Sequence, residues 1–323
     1  MSSRMASLLE ERLQKNTAGR DVLDRDGAGA ATRSGGRVPT VAIPMANNPE
    51  IVGCIADALA RGIARFVLIG PVEEIVRVAD EAGADIAEAQ MVEEIDPVAA
   101  CDRAARMAAG GEADVLMKGL VQTADFVRSI LNRERGLVAP GGVLSHIALC
   151  DVEGFDRLFL MTDAAIMTYP DAAQKRLIVE NAVRCANAIG IKVPRVAMVA
   201  PVEKVSARVP STGDAATVVA GFAGDERFEI DGPFGLDVAI SGEAASIKGI
   251  GGAVAGRADV LVLANIDAGN VLYKALTGFA GAGIAGIVSG ATVPVVLTSR
   301  ADSEETKMHS LQFALAIAAS PEP

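Results

Sequence analysis

The sequence predicts an α/β protein: two lobes of mostly parallel sheet flanked by helices, with the cleft between lobes as the default place for a ligand. Three observations predict it. From residue 41 onward, short runs of β-branched and other apolar residues alternate with helix-length segments, the rhythm of βαβ units. That rhythm breaks near residue 136, where two strands follow one another, and then resumes. Half of the 323 residues are hydrophobic, enough for one large or two medium cores.

Taken in order, residues 3–16 read as a short helix with Met5, Leu8, Leu9 and Leu13 on one side. "DGAGAATRSGGR", 26–37, is small and Gly-rich and reads as a flexible link. "VAIPM", 41–45, is a strand. "NNPEIVGCIADALARG" is a helix with Asn48 as N-cap, Pro49 at its first position and Gly62 closing it. "FVLIG", 66–70, is the next strand, and Pro71 opens another helix. "DVLMKG", 114–119, is a strand and "TADFVRSILNRERG" a helix. Two antiparallel strands then turn at Glu153-Gly154, and helical periodicity returns over 171–189. Further strands are 195–200, 258–264, 285–290 and "VPVVLTS", 293–299, before a final helix. The last strand and helix return to the first lobe. That lobe is therefore 1–142 plus 294–323, with 1–36 its N-terminal helix and link, and 143–293 is an inserted second lobe.

Charge and cysteine usage bound the function. A formal net charge of −11 argues against nucleic-acid binding, which needs a basic footprint. It leaves room for a small anion held in a locally basic pocket. Cys54, Cys101, Cys150 and Cys185 form no CxxC pair and read as free, reduced thiols of a cytoplasmic protein. The N-terminus has no signal-peptide pattern. No apolar run approaches the ~20 residues that span a bilayer, so no membrane association is expected.

Several familiar chemistries lack their residues. "GAGIAG", 281–286, fits GxGxxG, but a helix precedes it and a strand follows, the reverse of a dinucleotide site. It reads as a helix-to-strand turn. There is no GxxxxGK[ST] and no HExxH. The two histidines are His146, in an apolar strand and read as a core residue, and His309, on a helix face with Glu305 and Gln312 and read as solvated. A Ser-His-Asp triad or histidine metal site is poorly supported. Catalysis then falls to Ser, Arg, Lys and Asp.

Three strand-to-helix seams carry those residue types. At "LTSRADSEETK", Asp302 reads as the N-cap, with Glu305 completing a capping-box-like pair. Met308, Leu311 and Leu315 supply the buried stripe. The helix start would point backbone N–H groups at the seam. Arg300 suits bidentate phosphate recognition and Ser299 suits donation to a developing oxyanion. Alternatively, Asp302 and Glu305 only cap the helix and Arg300 makes a surface ion pair. "MKGLVQTADFVR", 117–128, repeats the design with Lys118, Gln122, Thr123 and Arg128, and a second cationic seam facing the first would enclose an anion. "NIDAGNVLYK", 265–274, is a third polar seam, with Asp267 and Asn270.

The blocks "LMKGLVQTADFVRSILN", "VLSHIAL", "DRLFLMTDAAI", "DGPFGLDVAIS", "ADVLVLANIDAGNVLYKAL" and "VPVVLTSRADSEETK" resemble the phosphate acetyl/butyryltransferase family, the phosphate butyryltransferase branch more closely, in order from about residue 40 to the end. The resemblance implies a two-lobed fold with the site in the cleft and a homodimer. It implies the reaction acyl-CoA + phosphate ⇌ acyl phosphate + CoA. No permanent cofactor is implied; CoA and acyl-CoA enter as substrates, with inorganic phosphate and acyl phosphate. The family's Ser-Arg pair and the Arg of its "TAD..R" helix carry over to Ser299, Arg300 and Arg128, lining the acyl phosphate and CoA site. The acetyl branch has an aspartate, regarded as the thiol base, where this chain has Thr306. Asp302 and Glu305 are the nearby carboxylates for that role. Direct transfer in a ternary complex is expected, with Ser299 and Arg300 stabilising charge, Arg128 and Lys118 holding phosphate, and Asp267 and Asn270 orienting CoA or shaping the cleft. Butyryl or a similar short acyl group is favoured over acetyl. Three competing readings are an acyl-carrier-protein-dependent transferase, disfavoured by the acidic balance; a noncatalytic acyl-CoA-binding protein; and a decarboxylating dehydrogenase, which would need a carboxylate cluster for a metal.

Overall fold

In a computed structural model the described residues are 3–18, 37–297 and 303–320. Two compact units divide the chain: Ala6–Gly142 with Ala285–Pro323, here the first unit, and Val143–Ile284 with the first residues of the chain, the second. The chain re-enters the first unit at Ala285, not at 294. The strand at 285–290 therefore belongs to the first unit, because it pairs antiparallel with the strand that follows it, Val288 opposite Val295.

The elements run in chain order: α1 (Arg4–Ala18), β1 (Thr40–Pro44), α2 (Pro49–Ala60), β2 (Arg65–Gly70), α3 (Val72–Ala82), β3 (Gln90–Glu93), α4 (Pro97–Ala109), β4 (Val115–Met117) and α5 (Thr123–Leu131), followed by a short 3-10 turn (Arg133–Arg135). The second unit carries β5 (Ser145–Asp151), β6 (Phe159–Thr162), α6 (Ala172–Ala188), β7 (Arg195–Val199), α7 (Pro210–Gly221), β8 (Glu229–Phe234), α8 (Leu236–Ile240), α9 (Gly242–Ile247), β9 (Val260–Val262) and α10 (Ile266–Gly278). The chain returns through β10 (Gly283–Ser289), β11 (Val295–Val296) and α11 (Glu304–Ala318).

In the first unit the strand order is β3-β2-β1-β4-β11-β10, parallel except for β10. Val41, Ile43, Leu68, Ile69, Val115, Leu116, Val295 and Val296 are all buried. Helices cover both faces of such a sheet, which explains why its strands read as continuous apolar runs. Asn48 caps α2, accepting from the Ile51 N–H at 3.2 Å, with Pro49 at the first position. Gly83 closes α3 at φ +65°. Nothing in the sequence pattern announced β3, whose four residues are half-exposed. Nor did it announce α4, whose buried face is Ala100, Cys101, Ala104, Ala105 and Ala108. A face of small residues gives little contrast with its surroundings.

The second unit is ordered β5-β6-β9-β7-β8. β5 and β6 are antiparallel, as expected, about a turn with Gly154 at φ +79°. Its core gathers Met161, Phe159, Ala197, Phe234, Val238 and Leu261. Asp171 and Gln174 form a full capping box on α6. The turn between α10 and β10 contains Gly281 at φ +57°, so "GAGIAG" joins a helix to a strand, as its context predicts, with its residues from Gly283 on already in β10.

Of two expectations for the ends of the chain, one changes. The Gly-rich link at 26–37 lies, apart from Arg37, outside the described residues. The final helix is not a one-sided amphipath: Met308, Leu311 and Leu315 are buried, but so are Lys307, His309, Ser310 and Gln312. His309 is 7% exposed and Gln312 2%, so that face is not solvated. α11 packs against α2 and over β4 and β11, and Ser310 Oγ accepts the Gly286 N–H at 2.9 Å.

Candidate functional site

Within the first unit, three neighbouring parallel strands end at one sheet edge, and each leads into a helix. Register fixes this: Ala42 lies opposite Leu116, and Val296 opposite Met117. The Lys118 N–H donates to Val296 O at 2.9 Å, and the Leu120 N–H donates to Met45 O at 2.7 Å. The carboxyl ends of β1, β4 and β11 thus lie side by side. Carboxyl ends of strands in open α/β sheets are where ligands bind, and the starts of α2, α5 and α11 bring their positive dipole ends to the same edge.

The packing there is tight. A Cβ on Gly119 would sit 2.1 Å from Pro44 O and 2.3 Å from Met45 O. Only glycine lets the two chain segments approach so closely. Met45 is buried and holds φ +54°. A bulky residue in the left-handed region is strained, and such strain concentrates at ligand sites. One turn into α2, a Cβ on Gly53 would meet Glu304 Oε1 at 2.7 Å, which shows how closely the first turns of α2 and α11 approach. The sequence reading took this β1-to-α2 seam as a capped helix start only. The signal was the strand-end cluster "MANNP", built like the other seams.

The candidate residues fall in different places. Lys118 is buried at the end of β4, with Nζ donating to Gly119 O at 3.2 Å. Gln122 is the N-cap residue of α5 but makes no side-chain cap bond, and Thr123 begins the helix; both are exposed. Arg128 lies in the second turn of α5, its side chain 72% exposed and paired with Asp125 at 2.6 Å. It lines a groove of about 550 Å³ with Val98, Asp102, Leu131 and Asn132. Ser299, Arg300 and Asp302 lie outside the described residues. Their flanks are described, and Leu297 follows the strand that pairs with β4.

The capping-box expectation at α11 does not hold. Ser303 is the N-cap, its Oγ accepting the Thr306 N–H at 3.2 Å. The cap is one residue later than Asp302, which puts Thr306, not Glu305, at the third position, and Thr306 Oγ1 takes a hydrogen bond from Ser303 Oγ at 3.1 Å. Glu305 is exposed in the first turn of α11 and is not consumed by capping.

Asp267 and Asn270 belong to the second unit, on the first turns of α10. Asp267 accepts from the Tyr169 hydroxyl at 2.7 Å, and that bond raises the phenol's pKa. Asn270 Nδ2 donates to Ala164 O at 3.1 Å. Both brace the loop after β6. The keystone of that loop is Asp163, which sequence reasoning did not single out. Its buried carboxylate accepts from the backbone N–H groups of His146, Ala165, Ile166 and Met167 at 2.8–3.2 Å. His146 itself is buried, edge-on to Tyr273 at 5.9 Å, consistent with a core residue.

All four cysteines are free and buried. Burial, with the Glu304 charge second, pushes the Cys54 thiol up to about 12. Burial likewise pushes Cys101 up to about 11. Neither is an activated thiolate. No helix among the described residues is long and apolar enough to cross a membrane.

Comparison with known proteins completes the picture. A family model described as "Phosphate acetyl/butaryl transferase" matches residues 98–317. The chain is 45% identical to a phosphate butyryltransferase of Clostridium beijerinckii over 287 residues, 87% of this chain and 94% of that one. It is 43% identical to the Clostridium acetobutylicum phosphate butyryltransferase, covering 86% and 93%. Among solved structures, a branched-chain phosphotransacylase from Enterococcus faecalis V583 aligns with TM-score 0.77 and 34% identity, over 87% of this chain and 99% of the other.

Proposed function

The chain belongs to the phosphate acetyl/butaryl transferase family, and we propose that it is a phosphate acyltransferase interconverting a short-chain acyl-CoA plus phosphate with acyl phosphate plus CoA, butyryl or a similar group favoured. The observation that carries the reading is the parallel register of β11 and β4. It puts Val296, three residues before Ser299 in sequence, in a hydrogen bond with the Lys118 N–H at 2.9 Å, on the edge where α5, the helix of Arg128, begins.

The chemistry is a direct transfer. A phosphate oxygen attacks the thioester carbonyl, the C–S pair leaves on sulfur, and the CoA thiolate takes up a proton. In reverse, the thiolate attacks the acyl phosphate. Ser299 donates to the oxyanion that forms at the carbonyl, Arg300 balances its charge, and Lys118 and Arg128 hold phosphate. Gln122 and Thr123 line the same seam, and Asp267 and Asn270 orient CoA. With a thiol pKa of ~8.5, ionising CoA at neutral pH costs about 2 kcal/mol. Aligning two reactants is worth up to roughly 7–11 kcal/mol. Alignment and charge stabilisation therefore dominate, and the base contributes less. Asp302 and Glu305 are the carboxylates for that role; Thr306, already engaged by Ser303, is not.

The same reading makes the enzyme a cytoplasmic homodimer. Its unpaired thiols suit a reducing compartment. Of α10, only Gly269 is buried, while Val271 on that helix and Phe279 just past its end are 69% and 95% exposed. Such an apolar face suits a partner copy; light scattering on the eluting protein gives the mass. The activity test supplies phosphate and a series of straight-chain acyl-CoA esters and follows CoA release. Each buried methylene adds ~0.8 kcal/mol, about fourfold in kcat/KM, until the pocket is full. No CoA release with any ester would sink the reading.

A further inference from the structure

We propose that Asp125 is a positioning residue for the phosphate site: it holds one edge of the Arg128 guanidinium and leaves the other for a phosphate group, that of inorganic phosphate or of the CoA ester. The inference rests on the transferase reading and adds a residue to it.

Asp125 is the third residue of α5, where the positive end of the helix dipole favours a carboxylate. Arg128 is three residues on, on the same face, the spacing at which helical side chains meet. Arg128 Nη1 donates to Asp125 Oδ1 at 2.6 Å. Among the described residues this is the only hydrogen bond Arg128 makes, so Nε and Nη2 remain for an incoming anion. Asp125 is 27% exposed against 72% for the arginine, which makes the carboxylate the fixed member of the pair. The second acid of the groove, Asp102, is already matched, bonded to Arg135 at 2.7 Å, whose side chain is 10% exposed. It adds little repulsion. An arginine as exposed as Arg128 would otherwise have to give up rotamer freedom on each binding event. Pairing with Asp125 removes part of that loss beforehand. As an exposed ion pair it adds little to stability, so its removal should leave the fold intact.

The test compares Asp125→Asn, Asp125→Glu, Arg128→Ala and the double variant Asp125→Asn/Arg128→Ala in steady-state assays with butyryl-CoA and inorganic phosphate. Asp125→Asn should raise the KM of one substrate by about two- to tenfold, the range set by ordering one long side chain, with kcat far less affected. A rise for phosphate identifies the free anion as the group bound; a rise for butyryl-CoA identifies a phosphate of the coenzyme. Asp125→Glu should shift that KM less than Asp125→Asn. On the Arg128→Ala background Asp125→Asn should add nothing. An unchanged or lowered KM in Asp125→Asn, equal shifts in the two Asp125 variants, or an undiminished Asp125→Asn effect without Arg128 would each overturn the role. Wild-type protein that releases no CoA would instead overturn the transferase reading beneath it.

Discussion

Gly119→Ala should damage both fold and turnover, because the residue lies where two strand ends cross. The added Cβ would fall 2.1 Å from Pro44 O and 2.3 Å from Met45 O. Backbone oxygens cannot rotate away as a side chain can, so the segments must part by roughly 1 Å to restore an ordinary contact. Overpacking of this kind costs about 1–3 kcal/mol. Stretching the bond from the Leu120 N–H to Met45 O adds about 1 kcal/mol. A total near 3 kcal/mol should lower Tm by roughly 6–12 °C for a unit of this size. The same displacement shifts Lys118 and the start of α5, and a misplacement of about 1 Å can cost on the order of 100-fold in rate. Gly83→Ala is the control: its φ is +65° and nothing lies within 4 Å. It should cost about 1–2 kcal/mol of left-handed strain and leave kcat/KM unchanged. Thermal unfolding and the CoA-release assay on both variants decide. Wild-type Tm and activity in Gly119→Ala would refute the claim that close approach builds this edge.

Asp163→Asn replaces a carboxylate that accepts four backbone N–H groups with an amide whose NH2 would face donors. At about 1–3 kcal/mol for each buried group left unsatisfied, chemical denaturation should show a loss of several kcal/mol. Arg300→Ala should abolish CoA release while Thr306→Ala changes it little; comparable losses would mean the chemistry is misplaced. Stability should fall at alkaline pH. The Cys54 thiol is raised to about 12 when folded, against ~8.5 unfolded. Its contribution is fully present below the unfolded value and is lost as pH rises from about 9 towards 12, by up to ~1.4 kcal/mol per pH unit. Urea midpoints between pH 8 and 10.5 should show the fall, and Cys54→Ala should make it shallower, with Cys101 and Cys150, whose thiols burial also raises, supplying the remainder.

Much of the fold around the seams was legible because the signals were local. Asn48-Pro49 announces the start of α2 through a cap and a fixed φ, and the run "DVLMKG" announces β4 by its apolar content. The polar residues after each strand marked the seams. The reading erred where local logic had two solutions. Asp302 with Glu305 and Ser303 with Thr306 both satisfy capping rules, and Ser303 is the residue that caps. His309 and Gln312 looked solvated because polarity usually means a wet face, yet α11 is buried on every face from Lys307 to Ile317. Asp163 stayed invisible because its four donors come from backbone, one of them on another strand.

The sequence by itself determined the alternation of strands and helices, the turn chemistry, the cationic residues at strand ends and the family, since each is written in neighbouring residues. Tertiary structure alone decided which strand ends share an edge and that Gly119 must be glycine. These depend on parallel register and on helix packing between segments up to about 180 residues apart, as Met117 and Val296 are. Burial against such distant partners is not encoded in any local pattern.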